Sequence, residues 1–239
     1  MLKSISIIYP VFNEEERLSK TFLDIKKFEK VNKFIKKEYI FVNDGSFDKS
    51  LFIIKNEIKK NNKIKIVSYK KNMGKGYALK RGVQIAKNEW ILTSDADCSV
   101  SSFQLNKWVK KKYIKQNTFI YFGSRNHPLS IVKKKITRKL VGIIFKLLIR
   151  LFFEIKISDT QCGFKLYKLN IAKKIFKKIS TNGYMHDIEI CIIAKILNLR
   201  IKDLPVKWTH VNDSKINFLS DVFKVVFSLI KISKLKSGV

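Results

Sequence analysis

Residues 90–97, Trp90-Ile91-Leu92-Thr93-Ser94-Asp95-Ala96-Asp97, run from an apolar stretch straight into two carboxylates. Alternate side chains of an extended strand share a face, so Asp95 and Asp97 converge if the strand ends there. Two hard oxygen donors at a strand end suit Mg²⁺ or Mn²⁺ carrying a substrate phosphate, because Mg²⁺ keeps several waters and takes few protein ligands. The same spacing serves a solvated turn, so the pair alone does not decide between the two. Asp44-Gly45-Ser46 likewise satisfies a turn and a helix start as well as a ligand site. Asn72-Met73-Gly74-Lys75-Gly76 reads as a glycine loop before a helix N-terminus, where backbone amides and a lysine suit an anion. Its spacing is neither that of a Walker A loop nor that of a dinucleotide fingerprint, which disfavours an NTPase and a dehydrogenase.

Strands and helices must alternate to bring these residues together, and the sequence has that pattern. Strand-like segments at 4–9, 39–43, 63–69, 90–94 and 119–123 are separated by helical ones at 14–28, 48–60, 76–86 and 101–115. This predicts an α/β fold with a largely parallel sheet, whose ligand sits beyond the C-terminal strand ends. Pro10 with Asn13 is expected to close the first strand, gathering Pro10, Asn13 and Glu14 beside Asn43 to Ser46 and beside Asp95 and Asp97. Residues 130–153 carry Lys133, Lys134, Lys135, Arg138, Lys139, Lys146 and Arg150 among apolar residues. They predict a basic amphipathic helix, lying either on a membrane or on the core with its charged face outward, and 218–232 invites the same two readings.

A chain of 239 residues, 46% of them hydrophobic, is long enough to bury one proper core, and Pro 3 with Gly 9 leaves no room for a disordered linker. Its formal charge of +31 draws polyanions: nucleic acid, anionic lipid head groups or phosphorylated substrates. Lysine is also abundant throughout, so much of that charge reads equally as solvated surface. Cys98, Cys162 and Cys191 show no CxxC spacing and leave one thiol over under any pairing, which fits a reducing compartment. The apolar segments 140–153 and 218–232 are interrupted by charges and fall short of the roughly 20 residues a membrane span needs. No signal peptide or transmembrane helix is expected.

Taken in order, Tyr9-Pro10-Val11-Phe12-Asn13-Glu14-Glu15, Val42-Asn43-Asp44-Gly45-Ser46, Asn72-Met73-Gly74-Lys75-Gly76 and Asp95-Ala96-Asp97 resemble the inverting GT-A glycosyltransferases of family 2. Gly123-Ser124-Arg125, Asp159-Thr160-Gln161-Cys162-Gly163-Phe164-Lys165, Val206-Lys207-Trp208-Thr209 and Ser214-Lys215 resemble its dolichyl-phosphate β-glucosyltransferase branch. The likeness runs from Ile5 to about Ile232. It implies one GT-A domain over 1–239, with a nucleotide-sugar-binding half at 1–124 and an acceptor-binding, membrane-facing half at 125–239.

The resemblance implies transfer of a sugar, glucose from UDP-glucose, to the phosphate of a dolichyl or undecaprenyl lipid, for donation onward to glycans. GDP-mannose or a soluble acceptor is the enzymatic alternative. Pro10, Glu14 and Asp44 would line the nucleotide pocket, and Asp95 and Asp97 would hold Mg²⁺ or Mn²⁺ against the diphosphate. Arg125 and Arg138, with Lys165 third, would take the acceptor phosphate, because guanidinium groups bind phosphate oxygens bidentately. Asp187 and Glu189, in Gly183-Tyr184-Met185-His186-Asp187-Ile188-Glu189, match an acidic element near the sugar, where either would orient hydroxyls or act as base. Without the family they are ordinary first-turn helix acids.

The branch's eukaryotic enzymes carry an N-terminal anchor, and related transferases carry C-terminal spans. Neither is read here, so basic amphipathic helices are expected to hold the protein peripherally on the cytoplasmic face of an anionic membrane. Cys98 stands where the branch commonly has glycine. A non-enzymatic alternative is a basic module for membranes or nucleic acid. Its nucleic-acid form needs aromatics interleaved with basic residues on one face, whereas Phe and Tyr here fall in apolar periodic positions, so no specific nucleic acid is expected.

Overall fold

In a computed structural model that describes residues 2–133, 157–183 and 185–210, the five expected strands and four expected helices of the first half all form. They are β1 (Ser4–Val11), α1 (Glu15–Val31), β2 (Lys36–Asp44), α2 (Ser50–Lys60), β3 (Ile64–Tyr69), α3 (Lys75–Ile85), β4 (Trp90–Thr93), α4 (Phe103–Lys110) and β5 (Ile120–Ser124). The second half adds β6 (Ile131–Lys133), β7 (Lys165–Lys168), α5 (Leu169–Lys178), α6 (His186–Ile196), β8 (Ile201–Pro205) and β9 (Lys207–Thr209).

Among the described residues, seven strands make one sheet in the order β3-β2-β1-β4-β7-β5-β8. The pairs β1 with β2, β1 with β4, β2 with β3 and β5 with β8 are parallel. Only β7, antiparallel to both β4 and β5, departs from that direction. Helices cover both faces, so the central strands read as almost unbroken apolar runs, with alternate residues serving opposite cores. Ile5, Ile7, Tyr9 and Val11 of β1 face the core formed with Leu18, Phe22, Ile25 and Phe28 of α1 and Trp108 of α4. Ile8 faces the other core, with Ala78, Leu79 and Val83 of α3, Ile175 and Phe176 of α5 and Ile188 of α6. Each large side chain buried this way contributes about 1.5–3 kcal/mol.

Several expectations are corrected. Pro10 does not close β1 but lies inside it, in register with Val42. Ser94 donates its backbone N–H to Ile8 O, so Ile8 and, two residues on, Pro10 turn their backbone polar groups towards β4. Pairing with β4 ends at Ile8 and Thr93, so the N–H that proline lacks has no ladder partner to lose there. Helix α4 stops at Lys110, where Lys112 takes a positive φ of 53°, rather than reaching 115. Residues 131–133, expected to open a helix, form β6, which pairs in parallel with β9. The rest of the basic segment 130–153, with Arg138, and all of 218–232 lie outside the described residues. Among the described residues no helix is long and apolar enough to cross a membrane.

Candidate functional site

The carboxylate pair stands immediately past the end of β4. There Cys98 donates its N–H to Asp95 O at 3.3 Å, and Ser99 donates its N–H to Asp97 Oδ1 at 2.8 Å. Thr21 of α1 donates its hydroxyl to Ala96 O and receives the Cys98 thiol at 3.6 Å. Cys98 takes φ 53°, the left-handed region in which a side chain is costly and glycine is not. The backbone here suits glycine, and this chain meets that demand with a buried cysteine. Burial pushes its thiol up to about 12, so it is no nucleophile at neutral pH.

Asp95 meets Lys75 Nζ at 2.6 Å, and Gly163 presses on its carboxylate from another side. A Cβ on Gly163 would stand 2.3 Å from Asp95 Oδ2, which only glycine avoids. Asp97 is half-buried, and burial, then the charge of Asp95, raises its pKa above the ordinary aspartate value. A divalent cation set beside Asp97 would offset the charge that burial and Asp95 oppose there. Among the described residues no group of three or more His, Cys, Asp and Glu side chains could hold a metal. Two carboxylates at a strand end are a donor set of the kind Mg²⁺ or Mn²⁺ takes, since such ions complete their shell with water and substrate oxygens.

The glycine loop after β3 is fixed from two sides. Met73 and Gly74 donate their backbone N–H groups to the Asp44 carboxylate at 2.7 and 2.9 Å, and Asn72 Nδ2 adds a third bond at 3.1 Å. From the other side Gly76 and Tyr77 donate their N–H groups to Asn182 O at 2.7 and 3.2 Å. The α3 amides expected to face a phosphate are thus taken by the chain itself. Asp44 in turn is an anchor of this loop. Pro10 and Glu14 stand close by, where Glu14 pairs with Arg17 at 3.0 Å and gives its N–H to Ser50 Oγ at 2.7 Å. Asn13, Ser46 and Phe47 bond across the same two strand ends, joining the β1–α1 and β2–α2 loops.

Arg125 follows β5, and its guanidinium grips Asp159 with Nε at 2.7 Å and Nη2 at 2.8 Å while its backbone N–H adds 2.9 Å. Its Cζ lies 5.8 Å from the centre of the Trp208 ring, and the fork on Asp159 is made by Nε and Nη2. Burial alone would raise the Asp159 pKa, but the Arg125 hydrogen bonds and charge hold it below the ordinary value.

The remaining site residues differ from expectation. Lys165, expected at the acceptor phosphate, is only 2% exposed and pairs with Asp187 Oδ1 at 2.5 Å. His186 lies against the same carboxylate with Nε2 at 3.1 Å, while Nδ1 donates to Gly183 O at 2.8 Å. Against the cost of burial, the adjacent His186 ring and the Lys165 ammonium hold Asp187 well below the ordinary aspartate range. Asp187 and Glu189 do open α6, as first-turn acids, but both are buried. Glu189 accepts from Ser180 N–H and Oγ and from Thr181 N–H at 2.8–2.9 Å, so both its oxygens serve a neighbouring turn. Sequence reasoning gave no role to Asp159, quoted only within a motif, or to Asn182, whose backbone carbonyl leaves no mark on residue type.

A doubly wound sheet with one reversed strand, carrying two acids past its fourth strand, defines a GT-A glycosyltransferase fold. Glucosyl-3-phosphoglycerate synthase from Mycobacterium tuberculosis, solved with UDP, superposes with a TM-score of 0.68 at 15% identity, covering 96% of this chain and 80% of that one. The same enzyme solved with Mn²⁺ and UDP-glucose gives 0.66 at 16% identity, over 95% and 78%. Residues 6–176 match the family described as Glycosyl transferase family 2, and the chain belongs to that family. A dolichyl-phosphate β-glucosyltransferase of Trichomonas vaginalis is 35% identical over 236 residues, 96% of this chain and 72% of that protein. The Dictyostelium discoideum enzyme of the same name is 30% identical over 239 residues, 95% and 73% respectively.

Proposed function

We propose that this protein transfers glucose from UDP-glucose to the phosphate of dolichol or a related polyprenol, with inversion, at a membrane surface. What carries the reading is likeness to dolichyl-phosphate β-glucosyltransferases along nearly the whole chain, 96% of it in the Trichomonas vaginalis case. An oxygen of the lipid phosphate attacks C1 of glucose from the face opposite UDP, the bond from C1 to the UDP oxygen breaks, and its electron pair leaves on the diphosphate. That phosphate is anionic already, so its attack needs orientation rather than a base.

Arg125 supplies orientation through Nη1, its other edge being held by Asp159, and Arg138 is assigned the same acceptor duty. Pro10, Glu14 and Asp44 shape the nucleotide pocket, Asp44 by fixing the 72–74 loop that borders it. Asp95 and Asp97 would hold Mg²⁺ or Mn²⁺, which when bound stabilises charge on the departing diphosphate. Lys75, at Asp95, adds positive charge to the same place. The net charge of +31 supports a peripheral position on an anionic cytoplasmic membrane face.

The test is incubation with labelled UDP-glucose, UDP-galactose or GDP-mannose and polyprenyl phosphate, with and without Mn²⁺, followed by counting label in the lipid phase. Label should enter from UDP-glucose alone and only with the metal. Transfer from no donor would sink the reading. Asp97→Ala should lower the rate by about 10²-fold or more, the scale of losing one transition-state charge contact.

A further inference from the structure

Asp44 and Glu189 come from distant parts of the chain, yet they hold opposite sides of one loop. Asp44 takes the N–H groups of Met73 and Gly74 directly. Glu189 works at one remove: it accepts three hydrogen bonds from Ser180 and Thr181, and the next residue, Asn182, presents its carbonyl to the N–H groups of Gly76 and Tyr77. Those amides belong to the first turn of α3, which has no intrahelical partner for them. The approach is close. A Cβ on Gly74 would stand 2.6 Å from Asn182 O, and one on Gly76 2.6 Å from Thr181 O. Lys75 lies between these two glycines and reaches Asp95 at 2.6 Å.

We propose that Glu189 is a positioning residue for the donor side of the site, acting through the 180–182 turn on the first turn of α3 and so on Lys75. Glu189 is fully buried, and both its oxygens are committed to donors of that turn. Moving the turn moves Asn182 O, and with it the backbone on either side of Lys75. Taking the surroundings of Lys75 and Asp95 as the diphosphate subsite rests on the function proposed above.

Two variants perturb this contact from opposite sides. Glu189→Gln sets an amide N–H₂ against backbone donors, and Gly76→Ala pushes on Thr181 O and on His186 Cβ while leaving the Glu189 carboxylate in place. Both should speed amide hydrogen exchange at residues 74–77 about tenfold and raise KM for UDP-glucose about tenfold, the scale of one charge-assisted hydrogen bond. KM for the polyprenyl phosphate should hold within about twofold, and the double variant should do no more than the worse single one. Unchanged exchange at 74–77 overturns the proposal, and so does a fall in kcat with both KM values intact, which a proton-accepting Glu189 would give. If Glu189→Gln does not fold, Glu189→Asp, which keeps the carboxylate but shortens its reach, decides by the same two measurements. Should the wild-type protein transfer no glucose, the functional reading fails, while the exchange data still decide whether Glu189 controls the loop.

Discussion

Cys98 shows how one residue can carry two opposed demands. Its φ of 53° favours glycine, while its side chain is buried against Thr21. Releasing the backbone is worth about 1–2 kcal/mol, and losing the buried sulfur and methylene costs a similar amount. Cys98→Gly should therefore leave the melting temperature nearly unchanged, whereas Cys98→Ala, which keeps the strain and loses the sulfur, should lower it. Alanine more stable than glycine here, by thermal melting, would show that the backbone demand is absent. Lys165 and Asp187 offer a second case. Removing one member of a buried pair strands the other charge, so Lys165→Met should cost about 3–5 kcal/mol in denaturant unfolding. Adding Asp187→Leu should return much of that loss.

Asp159 acts at the scale of elements: its carboxylate clips Arg125, just past β5, to the segment leading into β7. Because its folded pKa lies below the ordinary 3.8, its stabilisation is present above about pH 4 and is lost as pH falls through the folded value. Asp159→Asn should lower stability by about 2 kcal/mol near neutrality, from charge-assisted hydrogen bonds lost. Melting curves at pH 7, 5 and 3 should show the gap to wild type steady at first and narrowing at the lowest pH.

The same elements show what the sequence could tell. Short apolar runs alternating with helical stretches placed β1 to β5, and the glycine and aspartate motifs marked the strand ends that form the site. Nothing local distinguished β7, a four-residue strand whose position depends on two partners far away in the chain. The duties of Lys165, Asp187 and Glu189 were hidden for the same reason: residue type announces a charge, but whether it meets a ligand or another part of the chain is decided by tertiary contacts. Arg125 was legible as a phosphate binder only through its neighbours in sequence, and its partner Asp159 became visible in the fold.

For the molecule as a whole, the excess of Lys and Arg is the dominant field. Binding to vesicles rich in phosphatidylserine should be strong at about 0.05 M salt and largely lost by about 0.5 M, because screening shortens the reach of surface charge. Sedimentation with anionic but not zwitterionic vesicles would check it, and equal binding to both would point to apolar contact instead. The place of β7 has a further consequence for a chain made from its N-terminus. When β4 and β5 have emerged, the slot between them is still empty, and each offers an unpaired edge able to recruit a stranger. The slot fills only after residue 168 has been synthesised, and the outer edge of β5 waits for β8, so the nascent sheet passes through a stage with open edges on β4 and β5.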